Sequence, residues 1–414
     1  MMKGAGAGRD LRVLAVGYSG ANNTGAEALL RADVDDLRAV LGPGAAITVP
    51  SLNVRNLRRY LSEGAGLSIV RMPTVFFAAV WRLVRRHDVV ILVEGSTFMD
   101  TWGSPLLWYF LWAAWCAHRF GKPCLAYAVD AGELCARNRY LTGRVASRMD
   151  RVVVRARAAA DRLRACGVTA PIEITADNAL TFVPDAADAC IVPERWPEAA
   201  GGVVGLAAVN YHLFPVRVRP LARRADRYRW PFAFSRSRER SRAAAALAAM
   251  YAELADWIVE EQRRSVALLC MEELDEPFAV SIRERMRHPE QARVFSSRVY
   301  NASQMTSLLR SLELLVTSRY HAAVLSLGAS VPQMAVGHDL RLRSLYGEIG
   351  LSNVFFEPGT PDLIGVLKGG IRDLLADPQP TKAILRCGHE ELAARARQNR
   401  EHLKAFFARW GWCA

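Results

Sequence analysis

Short apolar runs alternate with longer helical stretches along this chain, and the alternation occurs twice. In the first half the runs are LRVLAVGY (11–18), AITVP (46–50), DVVILVEG (88–95), CLAYAVD (124–130), RVVVRA (151–156) and IEITAD (172–177). Helices are expected between them, from Gly25 to Leu41, after residue 50 through Trp81, and up to Cys166, where Gly167 closes the turn. Continuous β-branched runs separated by helices read as parallel strands covered on both faces. Such a segment folds as a doubly wound α/β domain, whose ligands gather beyond the carboxyl ends of its strands.

Pro184, Pro193 and Pro197 then interrupt the periodicity, placing a domain boundary near residue 195. A second alternating unit opens with GVVGLAAVN (202–210) and continues, after an arginine-rich insertion at 211–242, with a helix from Ser241 to Arg264. Then come SVALLCM (265–271), RVFSS (293–297), LLVTSR (314–319) and PQMAVG (332–337). A tail helix over 381–410 carries Leu385, Leu392, Leu403, Phe406 and Phe407 on one side, so it must pack against something. At 414 residues the chain suits two Rossmann-like lobes, 1–195 and 196–414, with the terminal helix crossing back between them.

Apolar residues make up 51% and charged residues 23%, the composition of an ordinary globular chain. The net charge of +13 is concentrated: residues 215–242 hold ten arginines against Asp226 and Glu239. A solvated arginine-rich loop, a peripheral contact with an anionic membrane, or a phosphorylated lipid or nucleotide answers such a run. Nucleic acid is not expected, since no recognition motif or aromatic–basic platform accompanies it. Eight cysteines, at 116, 124, 135, 166, 190, 270, 387 and 413, show no zinc spacing and read as reduced structural thiols. MMKGAGAGRD (1–10) lacks the apolar stretch of a secretory signal, which points to the cytoplasm, free or peripheral at the membrane. PLLWYFLWAAWCAHRF (105–120) is too short to span a bilayer and reads as a buried or interfacial helix; its tryptophans, with Trp102 upstream, suit a membrane interface, but a core helix against the sheet is preferred because it lacks a polar face.

The strongest chemical signal is LLVTSRYHAAVLSLGASVPQMAVGHDLRLRSLYGEIGL (314–351), in which an apolar run ends in Arg319 and His321. A guanidinium and an imidazole two residues apart at a strand's carboxyl end read as an anion site with an acid/base. Arg155 likewise ends an apolar run. The loop Gly17–Gly25 follows a strand and opens a helix, so its amides suit an anion or a sugar; its glycines lack the dinucleotide spacing.

Four segments, in order, resemble the polysaccharide pyruvyl transferase family: GYSGANNTGAEALL (17–30), DVVILVEGSTFMD (88–100), RVVVRARAAADRLRACGV through TADNALTF (151–182), and the Arg319/His321 segment with HDLR (338–341). The resemblance implies a fold similar to B-type glycosyltransferases and transfer of a carboxyethylidene group from phosphoenolpyruvate onto two hydroxyls of a sugar. The acceptor would be a sugar or glycan, free or lipid-linked. No metal and no cofactor are implied, and single-chain or homodimeric action stays open.

For such a donor Arg155, Arg319 and Arg341, the last in place of the family's lysine, are the expected ligands, because a planar guanidinium grips phosphate and carboxylate bidentately. His321 is the expected acid/base and Asp100 its carboxylate partner from the first lobe, the alternative for Asp100 being a helix cap before Pro105. Asn22, Asn23, Glu27, Glu94, Ser96, Asp177, His338 and Asp339 are the expected acceptor contacts. Three departures from the family pattern stand out: the three-glycine loop reads Glu94-Gly95-Ser96, Ala158 and Ala159 replace the usual serine after Arg155, and the stretch 210–242 has no counterpart. The rival enzyme reading is a nucleotide-sugar glycosyltransferase with Arg319 on a diphosphate, and a basic nucleic-acid-binding protein is the non-catalytic alternative.

Overall fold

The computed structural model describes residues 11–64, 66–101, 103–199, 201–210 and 213–412. The opening MMKGAGAGRD segment, Trp102, Cys413 and the first two residues of the insertion lie outside them. The chain forms two compact units. One comprises the described residues through Ala21, Ala26–Phe182 and Leu392 onward; the other takes in Asn22–Gly25 and Val183–Glu391. The division after Phe182 precedes the expected boundary near 195.

The first unit is built on seven strands: β1 (Arg12–Val16), β2 (Ala46–Ser51), β3 (Leu67–Arg71), β4 (Val89–Leu92), β5 (Cys124–Val129), β6 (Arg151–Val154) and β7 (Ile172–Ile174). All pair in parallel, in the order β3-β2-β1-β4-β5-β6-β7. Successive side chains serve opposite faces: Leu14, Val16, Val90 and Leu92 join one buried cluster, while Val13, Ala15, Val89 and Ile91 join the other. The first cluster is closed by helices Phe77–Arg86, Ser104–Arg119, Ala136–Ala146 and Arg157–Ala165. The second is closed by helix Thr24–Leu41 and by Leu403, Phe406 and Phe407 from the end of helix Gln379–Ala408.

That long helix is pinned by polar bonds as well. Asp36 accepts from Tyr127 Oη at 2.7 Å, Asn178 Nδ2 at 2.9 Å and Arg400 Nε at 2.7 Å, and Asn399 donates to the Ala176 carbonyl at 3.0 Å. Beside them Asp33 is fully buried, and burial holds its carboxyl well above the usual carboxylate range despite the bond from Asn178. The segment expected as one helix up to Trp81 is instead a short helix Val54–Leu57, strand β3 and helix Phe77–Arg86. LSIVR extends β2 as the edge of the sheet, and its exposed alternate positions hide the strand among polar neighbours.

The second unit carries β8 (Val203–Ala207), β12 (Ser265–Cys270), β13 (Ala292–Ser296), β14 (Leu314–Thr317), β15 (Gln333–Val336) and β16 (Phe355–Phe356) in a parallel sheet ordered β13-β12-β8-β14-β15-β16. The arginine-rich insertion is not a loop throughout. It forms a three-stranded antiparallel sheet from β9 (Val216–Val218), β10 (Arg227–Arg229) and β11 (Phe232–Phe234). Strand order reverses between β1 and β4 in the first sheet and between β8 and β14 in the second, which is where doubly wound sheets open a crevice.

Candidate active site

In the second unit β14 ends at Thr317, and the chain turns at once into helix Tyr320–Ser326. Thr317 fixes that turn, its hydroxyl accepting from the Arg319 amide at 2.8 Å and donating to the Arg319 carbonyl at 3.0 Å. The Arg319 guanidinium is thereby aimed at the loop beyond β12. It donates Nε to Asp275 Oδ2 at 2.9 Å, a second bond to Asp275 from the end of the fork, and lies 3.3 Å from Glu272 Oε2. Burial raises the Asp275 carboxyl above its ordinary value, and the Arg319 charge and hydrogen bonds pull it back.

His321 follows two residues on, its ring edge-on to Tyr320 at 5.1 Å between centroids. It packs against Gly25 so closely that a Cβ there would sit 2.0 Å from Nδ1. The segment Asn22–Gly25 is itself fastened beside the β12 loop. Thr24 donates its amide to the Met271 carbonyl at 2.8 Å, Glu273 donates to the Asn22 carbonyl at 3.0 Å, and Ser297 Oγ donates to that same carbonyl at 2.6 Å. The Asn22 side chain donates to Glu273, while Asn23 bridges to Glu272. Asn22, Asn23, Arg319 and His321 therefore share one constellation, in which Asn22 serves as an anchor for the segment.

Gly25→Ala lies near a helix start, where alanine ordinarily gains up to about 1 kcal/mol over glycine. Here the methyl would meet the imidazole, and overpacking of this kind costs about 1–3 kcal/mol. Thermal denaturation should show a lowered Tm; a raised one would mean that the ring does not rest on this residue.

After β15, His338 is exposed. Asp339 caps helix Leu340–Glu348, accepting from the Arg341 amide at 2.9 Å, and it also grips the Arg341 guanidinium at 2.6 Å. The Arg341 guanidinium lies 5.8 Å from the centre of the Tyr320 ring, which also contacts His321 edge-on.

In the first unit Arg155 follows β6, and its side chain is wholly buried. Nε donates to Asp130 Oδ2 at 2.9 Å, and the other arm of the fork binds Asp177. Asp177 also accepts from the Ala179 amide at 2.8 Å. Gly95 is the floor beneath this group: a Cβ there would meet Arg155 at 2.5 Å. Arg155, expected as a donor ligand, is thus enclosed between two carboxylates in this structure, and the glycine retained in Glu94-Gly95-Ser96 packs against it.

Glu94 joins the loops after β1 and β4, accepting from the Tyr18 amide at 3.1 Å, the Ser96 amide at 3.2 Å and Ser96 Oγ at 3.0 Å. Glu27 is buried, with Asn56 Nδ2 at 3.5 Å. Asp100 was expected as a catalytic partner, but it is engaged locally. One oxygen accepts from the Cys135 amide at 3.0 Å and from Asn138 Nδ2 at 2.7 Å, tying down the entry of helix Ala136–Ala146.

The residues not foreseen are the carboxylates: Asp130, Glu272 and Asp275 each neutralise an expected donor ligand. All three lie just beyond strand ends, Asp130 directly after β5 and the other two in the MEELDEP turn after β12. A buried or half-buried guanidinium needs such partners.

These sheets, with their chemistry at the strand ends, define the two-domain α/β fold of B-type glycosyltransferases and related epimerases. The chain is similar in fold to Anabaena Alr3699/HepE crystallised with UDP, at 12% identity over 96% of this chain and 100% of that one, with a TM-score of 0.58. A putative UDP-N-acetylglucosamine 2-epimerase from Listeria monocytogenes gives 13% identity, 97% of each chain and a TM-score of 0.61. Sucrose-phosphate synthase from Thermosynechococcus elongatus gives 11%, 96% and 98%, and 0.58. At these identities the likeness is one of fold. The family model for polysaccharide pyruvyl transferase matches residues 23–339, and the chain belongs to that family. It is a transferase. Among the described residues no helix is long and apolar enough to cross a membrane.

Proposed function

We propose that the chain forms a cyclic ketal, moving a carboxyethylidene group from phosphoenolpyruvate to two hydroxyls of a sugar in a glycan or lipid-linked glycosylated intermediate. The observation that carries the reading is the pairing of Arg319 and His321 on one turn at the β8/β14 reversal, with the imidazole braced by Gly25.

The reaction must protonate the methylene carbon of the donor, which leaves positive charge on the carbon bearing the phosphate ester. One sugar hydroxyl adds there, the carbon–oxygen bond to phosphate breaks, and the second hydroxyl closes the ring. Of the two hydroxyl protons released, one balances the proton now in the methyl group and the other leaves on phosphate. An imidazole can deliver and recover such protons at neutral pH, an effect worth about 10²–10⁴-fold.

Arg319 would hold the donor's carboxylate or phosphate. Glu272, 14% exposed, is the partner that an incoming anion can displace from the guanidinium; Asp275, 2% exposed, stays to orient it. Arg341 would move in the same sense from Asp339. Arg155, closed by its two carboxylates, would position the loop at Gly95. The arginine-rich insertion would add a peripheral contact with an anionic membrane: Arg217, Arg219, Arg223 and Arg224 are exposed there beside Val218 and Leu221.

Incubation with phosphoenolpyruvate and candidate glycan acceptors tests the reading. Release of inorganic phosphate that depends on acceptor, with an acid-labile carboxyl group gained by the glycan, is the expected result. Release of a nucleoside diphosphate from a sugar donor, without phosphate from phosphoenolpyruvate, would replace it by the glycosyltransferase reading.

A further inference from the structure

One outer face of the first unit combines exposed cations with exposed apolar side chains. Helices Phe77–Arg86, Ser104–Arg119 and Ala136–Ala146 pack side by side over the same face of the sheet. Together they carry seven arginines and not one aspartate or glutamate. The seven, Arg82, Arg85, Arg86, Arg119, Arg137, Arg139 and Arg144, are all exposed. Among the described residues none of them pairs with a carboxylate; Arg137 and Arg144 instead lie over the rings of Trp108 and Tyr140, at 5.4 and 6.0 Å. The excess is local. Helix Thr24–Leu41, on the other face of the same sheet, sets Glu27, Asp33, Asp35 and Asp36 against Arg31 and Arg38.

The same face displays apolar and aromatic side chains. Val75 is 64% exposed, Phe77 44% and Tyr140 64%. Behind Phe77, Trp112 and Trp115 are half-buried and stacked at 4.8 Å, and Trp112 donates its indole N–H to the Phe77 carbonyl at 2.9 Å. The helix Ser104–Arg119 thus keeps a half-buried stripe at Trp108, Trp112 and Trp115 on its outer side.

Tryptophan and tyrosine with a ring of arginines, and no acidic residue, match the boundary of a bilayer, where indoles and phenols lie at the headgroups and cations meet anionic lipid. A polyanion in solution would answer the arginines but leave Val75 and Phe77 facing water. A second protein surface would ordinarily bring both signs of charge. We infer that this three-helix face docks the protein on an anionic membrane, with Val75 and Phe77 entering the headgroup layer and the arginines seated on the phosphates. The inference does not depend on the transfer reaction.

Vesicle sedimentation of the full chain tests it, using phosphatidylcholine alone against equal parts of phosphatidylcholine and phosphatidylglycerol. Binding is expected only to the mixed vesicles, falling with added salt. It should be accompanied by quenching of tryptophan fluorescence by lipids brominated near the headgroup. Arg82→Glu/Arg85→Glu/Arg86→Glu alters three exposed residues of one helix and should weaken binding on the order of a hundredfold, since each basic group near such a surface contributes about tenfold or less. Phe77→Ser should weaken it further without changing the circular dichroism spectrum. In parallel, Arg217→Glu/Arg219→Glu/Arg223→Glu changes the insertion instead. Binding undiminished in the helix triple variant, whether or not the insertion variant loses it, overturns the inference. Equal binding to neutral vesicles does so too, as does a dimer in solution that Phe77→Ser dissociates, since a second copy would then be the occupant.

Discussion

His321→Ala is expected to lower turnover by about 10²–10⁴-fold, the usual contribution of a general acid/base, while leaving the thermal unfolding profile close to that of the parent. The ring is half-buried and rests on Gly25, so its loss opens space on a contact with a glycine rather than deep in the core. Arg319→Ala should behave differently. Its guanidinium is 13% exposed and is held by Asp275, which is 2% exposed. Truncation strands a buried carboxylate, a change that costs about 3–5 kcal/mol. Activity and stability should fall together in that variant. Arg319→Ala/Asp275→Asn should recover most of the stability and none of the turnover if the guanidinium also holds the donor. Steady-state phosphate release and differential scanning calorimetry on the three variants separate these effects. Turnover within a few-fold of the parent in His321→Ala, with the protein folded, would remove the imidazole from the chemistry.

How much of this could be read beforehand depended on whether the information was local. Strands β4, β5 and β14 are buried on both sides over their whole lengths, so their apolar runs announce them. β3 is an edge strand with exposed alternate residues, and β9, β10 and β11 are three residues each. For these the deciding partners lie in other segments, and the local pattern carries little weight. The same contrast holds at the site. Arg319 and His321 were visible because they sit two residues apart at the end of one apolar run. Asp275 is 44 positions away from Arg319 in sequence, and the brace on His321 comes from Gly25, a glycine read only as part of a substrate loop. Asp100 was ambiguous for a related reason. A carboxylate after a glycine-rich loop can serve chemistry or backbone amides, and only the placement of Cys135 and Asn138 decides between them.

Arg155 offers the sharpest separation of structure from catalysis, because its environment predicts a large effect for a reason unrelated to donor binding. Arg155→Met, nearly equal in volume, should leave Asp130 and Asp177 as two buried carboxylates at 3% and 2% exposure without their shared cation. A cost of about 3–5 kcal/mol follows, which for a domain of this size lowers Tm by roughly 10 °C. Arg155→Lys should rescue little, because one ammonium cannot span the two carboxylates as the fork does. Arg155→Met/Asp130→Asn/Asp177→Asn removes all three charges together and should restore most of the lost stability, since replacing a whole buried ionic group is far milder than breaking it. If turnover returns with stability in the triple variant, Arg155 positions the Gly95 loop and never meets the donor. If stability returns alone, with the KM for phosphoenolpyruvate raised, the guanidinium contacts the donor after its carboxylates yield. An unchanged Tm in the single variant would contradict the buried, doubly paired geometry itself.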